Sequence, residues 1–328
     1  EQLPGEIRDA LTDERVTKTA YNAAFERICL SRFLGLPYMD PAQWQCTMVA
    51  AARLGLPLGL AQCGEVLRLS EGKMREGAAL IRYFSLPGKN GRHMPSDAPE
   101  KWEVFKKYCI RDVEVEQAIL KKVRRLQPTA TDEMLRVVDQ TINDRGVLID
   151  VKMVDNAVKM DTIYKARLNT EAQQITGLAN PNSANQLREW IFNRTGMQLD
   201  TLRKDDLPDI KNATDDEDVR RVLDIRAEMN KTSTTKYETM QKVVGRDGRV
   251  RGLLQHHGTR TGRWAGRLVQ MQNLPQNHIS DIDLARELLK EGDLDTIELC
   301  YGNVPDTLSQ LIRTAFVAPE GRTFAVCD

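Results

Sequence analysis

The sequence lacks any long apolar run, and its basic and acidic side chains are equal in number, 47 of each. The most apolar stretch, from Thr47 to Ala61, is interrupted by Arg53 and Pro57 and is too short for a membrane span. No secretory leader is recognisable at the start. We therefore expect a protein that makes no contact with a membrane and works in the cytoplasm.

Side chains that usually form disulfide or metal clusters are also scarce. The 328 residues include 6 Cys, which show no close-pair spacing, and 4 His. We interpret the cysteines as reduced thiols and expect no zinc site. The histidines, at positions 93, 256, 257 and 278, are too few and too scattered for a metal cluster, and we assign no catalytic role to His256 or His257.

Positive charge is concentrated in one part of this neutral chain. Between Lys231 and Gln270 there are nine Lys or Arg residues and two acidic ones, Glu238 and Asp247. Such a stretch is typical of a surface that contacts phosphates. A solvated charged face is the alternative, and composition alone does not separate the two.

The first part of the chain has a mixed α/β pattern. Val16–Tyr21 alternates and predicts a strand, and Ala23–Leu34 predicts a helix. We expect Phe25, Ile28, Cys29 and Phe33 to form the buried face of that helix. A long helix is predicted from Trp102 to Leu126.

The pattern becomes helical after Pro128. A first helix is expected to bury Met134, Leu135, Val138 and Ile142 and to end at Gly146. Further helices are predicted after Asp150, after Asn182-Ser183 and from Asp216 to Lys231, with Asp150 as an N-cap. From Gly248 onward strands are expected again, at Arg249–Gln255 and, as a buried strand, at Arg322–Val326.

Several short motifs follow one another near the end of the chain, before the final Asp328. They are Thr261-Gly262-Arg263, Gln272-Asn273-Leu274-Pro275, Ile312-Arg313 and Ala318-Pro319-Glu320-Gly321. Each is weak alone, but their joint order is specific. In this order they resemble the segment that leads into the palm of family A, polymerase I-like DNA polymerases.

The resemblance implies roles for the matched residues. Arg263, with Thr261 and Gly262, would contact the primer-terminal base pair from the minor groove, and Gln272 and Asn273 would line that groove. Arg313 would brace the template–primer backbone or the palm. Asp328 would bind both Mg²⁺ ions of the polymerase site. Trp264, next to Arg263, is expected to pack rather than to stack on the primer.

The middle of the chain adds to this resemblance. Asn143–Asp150 is similar to the turn that opens the thumb in this family, and Asn180–Leu187 is similar to a later thumb segment. Lys231–Tyr237 is similar to a thumb helix that grips duplex DNA. The resemblance implies DNA contacts for Lys231, Thr234 and Lys236. Short hydroxyls and lysines suit sugar–phosphate contacts, which position DNA without reading its sequence.

The beginning of the chain resembles the proofreading 3′–5′ exonuclease of the same family. Asn22–Glu26 is similar to its second motif, and Tyr108–Asp112 matches the third. The resemblance implies a DNA contact for Asn22, metal ligation by Glu26 and Asp112, and orientation of the attacking water by Tyr108. Glu26 replaces the usual Asp. The Asp-x-Glu pair of the first motif is absent upstream of Asn22.

Together these matches imply an α/β plus α fold in three parts. A partial RNase H-like exonuclease domain is expected at 1–126, an elongated helical thumb at 127–247, and the start of an α+β palm at 248–328. The chain is interpreted as an incomplete piece of a phage or prophage polymerase, inactive alone, that acts as a monomer in the bacterial host cytoplasm. Its expected partners are primer–template DNA, deoxynucleoside triphosphates and Mg²⁺, with two ions in each complete site.

Two other interpretations remain open on the sequence. The chain could be a non-catalytic module that grips primer–template DNA and carries a degenerate exonuclease domain. It could also be a stand-alone exonuclease of the same superfamily, although that interpretation leaves the residues after Leu126 without a role.

Overall fold

The structure is a computed structural model and describes residues 3–70, 72, 74, 77–88 and 91–325. The chain divides into two compact units. The first consists of residues 1–145 and 254–267, and the second of residues 146–253 and 268–328. Each is built mainly of helices with short two-stranded sheets.

The first unit is formed by a run of helices and two pairs of short strands. Its helices are α1 (Gly5–Thr12), α2 (Ala23–Phe33), α3 (Thr47–Arg53), α4 (Leu60–Val66), α5 (Gly77–Ser85), α6 (Pro99–Val123) and α7 (Ala130–Arg145), and its strands are β1 (Lys18–Ala20), β2 (Trp44–Cys46), β5 (Leu254–Gln255) and β6 (Ala265–Gly266).

The long helix α6 is the centre of the first unit. It packs against α3, α4 and α5. Val115, Ile119 and Val123 on α6 meet Ala51 and Cys63 in one buried cluster. Strands β1 and β2 pair in parallel, which requires a crossover between them, and α2 lies in that crossover.

Two helices of the first unit bury charged side chains and leave most large apolar side chains of their predicted faces exposed, which corrects the predicted faces. On α2, Phe25 and Phe33 are exposed, while Arg27 is buried and forms an ion pair with Asp144 (2.6 Å). Arg27 also donates to the carbonyl of Met39 at 2.9 Å. The guanidinium tolerates burial because it is paired and hydrogen-bonded.

The same correction applies to α7. Met134, Val138 and Ile142 are exposed, whereas Arg136 and Asp139 are buried. Arg136 pairs with Glu133 (2.8 Å) and donates to the carbonyl of Pro41 (3.0 Å). The carbonyl partner of Arg136 lies far away in the sequence, so periodicity within the helix did not reveal it.

The second unit contains the longer helices. They are α8 (Val151–Thr176), α9 (Ala184–Thr195), α10 (Leu207–Asn212), α11 (Glu217–Met229), α12 (Thr235–Val243), α13 (Ile282–Glu291), α14 (Leu294–Tyr301) and α15 (Val304–Leu311), with strands β3 (Val147–Leu148) and β4 (Arg249–Val250). Short 3₁₀ turns occur at Thr232–Thr234, Met271–Asn273 and Ile312–Ala315.

Helix α8 is the core element of the second unit. It packs against α11, α12, α13 and α15. Met153, Ala157 and Met160 are almost completely buried on it. Tyr237 on α12 is buried in the same cluster, and its hydroxyl donates to the carbonyl of Leu308 at 2.9 Å. A smaller cluster, centred on Leu187 and Ile191, joins α9, α10 and α11.

Asp150 connects three elements at the start of α8. Its side chain caps the helix by accepting from the backbone N–H of Met153 at 3.1 Å. It also pairs with Arg286 of α13 at 3.2 Å, and its own N–H donates to the carbonyl of Ala315 at 2.8 Å. The predicted N-cap is therefore confirmed. Gly146, with φ +65°, ends α7 as predicted.

Both predicted strands near the end of the chain need correction. Arg249–Gln255 is not continuous, because Gly252 has φ +69° and separates β4 from β5. Residues 322–325 are exposed and form no strand, and Phe324 is 55% exposed. A strand needs a hydrogen-bonded neighbour, and no described residue pairs with this segment. Val326 lies outside the described residues.

The compact units divide the chain differently from the predicted domains. Helix α7, which the sequence analysis placed in the thumb, packs within the first unit, as does the β5–β6 pair predicted to belong to the palm. The boundaries at 126 and 247 therefore stay a prediction about family domains. Among the helices in the described ranges, none has the length and apolar composition of a membrane span.

Replacement of Asp150 by Ala is expected to destabilise the second unit by about 1–3 kcal/mol, since it removes an N-cap and a partly buried ion pair. Thermal or urea unfolding measures this loss. Asp283→Ala is the matched control, because Asp283 is an exposed acid in the first turn of α13. Equal unfolding midpoints for the two variants would contradict the role of Asp150.

Candidate nucleic-acid interface and exonuclease-like face

The predicted Thr-Gly-Arg motif forms the loop of the β5–β6 hairpin in the first unit. Gly262 has φ +79°, a conformation that glycine adopts without strain. Its N–H donates to the carbonyl of Thr259 at 3.1 Å, and the N–H of Arg263 donates to the Thr259 hydroxyl, also at 3.1 Å. The Thr259 hydroxyl lies 3.2 Å from that of Thr261. These bonds hold the loop closed.

Two arginines extend from this loop into solvent. Arg260 and Arg263 are exposed, and neither side chain has a hydrogen bond or ion pair to any residue that the structure describes. An exposed guanidinium without an internal partner keeps its fork of donors available for phosphate or for minor-groove acceptors. The two guanidinium groups of the loop are therefore accessible to a ligand.

Trp264 fastens the hairpin to the rest of the first unit. Its indole N–H donates to the Asp139 carboxylate at 2.7 Å, and its ring lies 4.9 Å from that of His256. Burial raises the pKa of Asp139, while the hydrogen bond from Trp264 opposes that rise. Trp264 remains 39% exposed. This contact agrees with the packing role expected for Trp264.

In the second unit, two exposed amides are presented by one short turn. Gln272 and Asn273 lie in the 3₁₀ turn Met271–Asn273, which follows Gln270 in the left-handed conformation. The side-chain amide of Asn273 donates to that of Gln270 at 3.2 Å. The neighbouring Leu274 is buried and anchors the segment. Both predicted groove-lining side chains are therefore accessible.

Two cations hold the backbone on either side of these amides. Lys236 donates to the carbonyls of Val269 (2.9 Å) and Asn273 (3.4 Å). Arg313 donates to the carbonyls of Leu274 (3.2 Å) and Pro275 (3.4 Å). Burial lowers the pKa of Lys236. These residues brace the segment from within the protein, and their DNA contacts stay a prediction.

The other two predicted thumb contacts are engaged internally. Lys231 forms an ion pair with Asp306 of α15. Burial raises the pKa of Asp306, but the hydrogen bonds from Lys231 and Gln310 lower it. The net result is a pKa below the ordinary value. Thr234 is 97% buried, and its hydroxyl lies 3.3 Å from the Asp161 carboxylate. The Thr234 side chain does not reach the surface in this conformation, and its DNA contact stays a prediction.

The exonuclease-like motifs lie on α2 and α6 of the first unit. Asn22 precedes α2 in the left-handed conformation, with φ 69°, and makes no side-chain capping bond. Glu26 follows in the first turn, and its Oε2 is buried without a hydrogen-bond partner among the described residues. Burial raises the pKa of Glu26, and the nearby Glu116 carboxylate raises it further.

Glu116, which no sequence motif singled out, lies on the same face of α6 as the matched motif. Tyr108, Asp112 and Glu116 follow at intervals of four residues, so they share one helix face. Tyr108 and Glu116 are buried, and Tyr108 stacks on Phe105 with ring centroids 6.0 Å apart. Glu116 accepts from the Thr47 hydroxyl. The four-residue spacing itself was the signal that could have identified it.

The described residues do not complete a metal site. No group of three or more His, Cys, Asp or Glu side chains within them could hold an ion. Glu26 and Glu116 are two carboxylates in electrostatic contact, a combination that a cation would relieve, but two ligands do not define a site. Asp328, the predicted ligand of the polymerase ions, lies outside the described residues.

The predicted site residues therefore fall into two sets. The first unit holds one set and the second unit holds the other. In the first unit they are Asn22, Glu26, Tyr108, Asp112, Thr261, Gly262 and Arg263, and in the second Lys231, Thr234, Lys236, Gln272, Asn273 and Arg313.

Glu116 predicts an unusual pH dependence of stability. Burial raises its pKa above the ordinary value, against the hydrogen bond from Thr47. Because its pKa is higher in the folded state, Glu116 contributes stability at pH values below the ordinary carboxylate pKa of about 4.3. This stability is lost as the pH rises through the folded-state pKa. Relative to the wild type, Glu116→Gln should therefore gain stability as the pH rises from about 4.3 through the folded-state pKa of Glu116.

Glu65→Gln serves as the control, because Glu65 is exposed on α4 and should show no such trend. Melting curves at a series of pH values make the comparison. A Glu116→Gln variant that loses stability relative to the wild type as the pH rises would contradict the effect of burial.

The chain is similar to known DNA polymerases in sequence and in fold. The chain is 51% identical to the DNA polymerase of Bacillus phage SP02, over 334 aligned residues that cover 99% of this chain and 51% of that polymerase. The fold is similar to the POL domain of Pol1 from M. smegmatis, solved in complex with DNA primer-template and dNTP, with a TM-score of 0.53 and 16% identity. That match covers 98% of this chain and 50% of the other. No protein-family model matches.

The chain thus spans about half the length of the curated relative that it matches. The mostly helical fold with small sheets agrees with that of a polymerase domain, in which the partition into exonuclease, thumb and palm stays a prediction. The resemblance stated from the sequence is confirmed: over 99% of its length the chain is similar to a phage DNA polymerase, and its fold is similar to the POL domain of a Pol1.

Proposed function

We propose that this chain is part of an enzyme that synthesises DNA on a template, in the replication of a phage or prophage. The observation that carries the proposal is the 51% identity to a phage DNA polymerase over 99% of the chain. The protein would act as a monomer in the cytoplasm of the bacterial host. Its partners would be primer–template DNA and deoxynucleoside triphosphates, the ligands with which the similar POL domain was solved.

In this proposal the hairpin loop and the Met271–Asn273 turn supply the groove contacts. Arg263, presented by the Gly262 turn, offers donors to acceptors in the minor groove of the primer terminus. Gln272 and Asn273 line the same groove with amides that can both donate and accept. Arg260 adds a phosphate contact on the loop. This assignment is supported by the exposure of all four side chains.

Lys236 and Arg313 act as positioning residues in the proposal. Their bonds to four backbone carbonyls hold the segment from Val269 to Pro275 in one conformation. A preorganised segment loses less conformational entropy when DNA binds. The two side chains thus contribute to DNA binding through the turn that they brace. Lys231 contributes in the same indirect way, through its ion pair with Asp306.

Asp328 is proposed as a ligand for the Mg²⁺ ions of the polymerase site. Magnesium prefers oxygen ligands and is usually held by one or two carboxylates. When bound, two such ions activate the primer hydroxyl and stabilise the charge that develops on the transferred phosphoryl group. The domains at 1–126, 127–247 and 248–328 are proposed as exonuclease-like, thumb and palm regions.

A second candidate function for the first unit is proofreading hydrolysis. Glu26 and Asp112 would contribute to a metal site there, with Tyr108 positioning the attacking water and Asn22 contacting the DNA end. The buried Oε2 of Glu26, which has no hydrogen-bond partner among the described residues, supports this proposal, since a bound cation would satisfy it. The alternative is a first unit that only grips DNA, and nuclease assays on the complete polymerase, with Asp112→Asn as the variant, separate the two.

Primer extension by the complete polymerase tests the proposed synthesis. Asp328→Ala should abolish nearly all extension, because a metal ligand is lost. Arg263→Ala should slow extension by about 10–100-fold while duplex affinity falls less, in line with the value of a charged hydrogen bond. Arg8→Ala, a change at an exposed arginine of α1, is the control. Normal extension by Asp328→Ala would overturn the proposed metal role.

DNA binding by the chain itself tests the contribution of the basic loop. We expect weak binding to primer–template duplex, with an affinity that falls steeply as salt rises, because Lys and Arg release counterions from the phosphates. Removing both loop cations in Arg260→Ala/Arg263→Ala should reduce the slope of log K against log salt by about 1–2. A salt-independent constant, or an unchanged slope in the double variant, counts against phosphate contacts at this loop.

A further inference from the structure

The first unit contains a cavity that the proposed function does not use. Its volume is about 280 Å³, just below the range of roughly 300–1,000 Å³ that is typical of small-ligand pockets. It is lined by residues of α3, the end of α6, the start of α7 and the two residues that follow β5, His256 and His257. All of these elements belong to the first unit.

Two polar nitrogens in the wall of this cavity have no partner within the described structure. The Nδ1 atom of His256 is buried and makes no hydrogen bond, and His256 as a whole is 97% buried. The Nε atom of Arg53 is likewise buried and unbonded, although the other end of the guanidinium donates to the carbonyl of Leu126. An unsatisfied buried polar group destabilises the fold, and it does so more strongly when it is charged. Both atoms can hydrogen-bond to a polar ligand or to a water molecule in the cavity.

The charges of the wall slightly favour an anion. Three arginines line the cavity, Arg53, Arg124 and Arg136, together with two acids, Asp132 and Glu133. Glu133 is paired with Arg136 at 2.8 Å, so these two charges offset each other. Asp132 accepts from the N–H and hydroxyl of Thr129 at 2.9 Å each, so its oxygens already have hydrogen-bond donors. The wall is left with one positive charge in excess, and its polar atoms without a partner are nitrogens.

The imidazole is suited to a neutral role in such a site. Burial lowers the pKa of His256, and the neighbouring His257 lowers it further. A neutral imidazole can donate through one nitrogen while the other accepts. Val49, Leu120 and Leu126 supply an apolar side of the same cavity. The lining thus includes both arginine side chains and apolar side chains that can contact a ring.

We propose that this cavity binds a small phosphate monoester that carries a ring, such as a deoxynucleoside monophosphate. The phosphate would accept from Arg53 Nε and from His256, and the ring would lie against the apolar wall. Phosphate provides several strong acceptor oxygens, which match a site with more than one unsatisfied donor. The proposal does not depend on the polymerase assignment, because it rests on the cavity and its unsatisfied nitrogens.

Titration of the full chain with dAMP tests the proposal, followed by calorimetry and by the fluorescence of Trp264, whose ring lies 4.9 Å from that of His256. We expect saturable binding of one dAMP per chain, weaker binding of inorganic phosphate and no binding of deoxyadenosine. Arg53→Lys keeps the charge but removes the Nε donor, and it should weaken dAMP binding about tenfold or more. Arg8→Met, on α1, should bind dAMP like the wild type.

A measurement on the unaltered protein guards against a variant that fails to fold. In the wild-type chain with ¹⁵N-labelled histidine, dAMP should shift the ring resonances of His256 and leave those of His278, which lies in the second unit, unchanged. Absence of saturable binding up to about 10 mM dAMP would mean a water-filled cavity and would overturn the proposal. Equal affinity for deoxyadenosine would overturn the phosphate contact. Tight binding of a 5′-phosphorylated oligonucleotide without binding of dAMP would overturn the small-molecule proposal and identify a DNA-end site instead.

Discussion

The burial of α8 is the constraint on which the second unit depends. A 26-residue helix places its apolar face against four other helices, so its direction determines where each of them lies. Asp150 sets that direction at the first turn, because one carboxylate caps the helix and also pairs with Arg286 of α13. The carbonyl of Ala315 is fixed to the same residue. The position of the turn that presents Gln272 and Asn273 therefore depends on the position of α8.

Local chemistry made part of this structure predictable. Asp150, Asp216 and Gly146 end or begin helices where the sequence predicts them, because capping depends on residues within one turn. The buried faces of α2 and α7 were not predictable in this way. Arg27 is buried because Asp144, 117 residues away, neutralises it, and no local pattern contains that information. The burial of Thr234 was similarly not visible in the local pattern, since its hydroxyl donates to Asp161 on α8.

The cations of the basic stretch illustrate how composition and structure differ. In the sequence the nine cations form one basic stretch, but in the structure they have different partners. Lys236 donates to backbone carbonyls, while Lys231 and Arg251 pair with acids. Arg260 and Arg263 keep their donors exposed. A charge with an internal partner contributes less to the attraction of DNA. Fewer residues of the basic stretch therefore attract DNA than the count of nine Lys and Arg indicates.

The place of the β5–β6 hairpin in the first unit has a consequence for biosynthesis. Residues 254–267 complete a unit whose other members end at residue 145. The ribosome therefore synthesises helices α8 to α12 of the other unit before the earlier portion can close around Trp264 and Asp139. Until then, Asp139 lacks its partner Trp264, and the cavity wall lacks His256. During this time chaperone binding or misassembly competes with folding. The beginning of the nascent chain should consequently acquire its protease resistance late, only after residues far downstream have emerged.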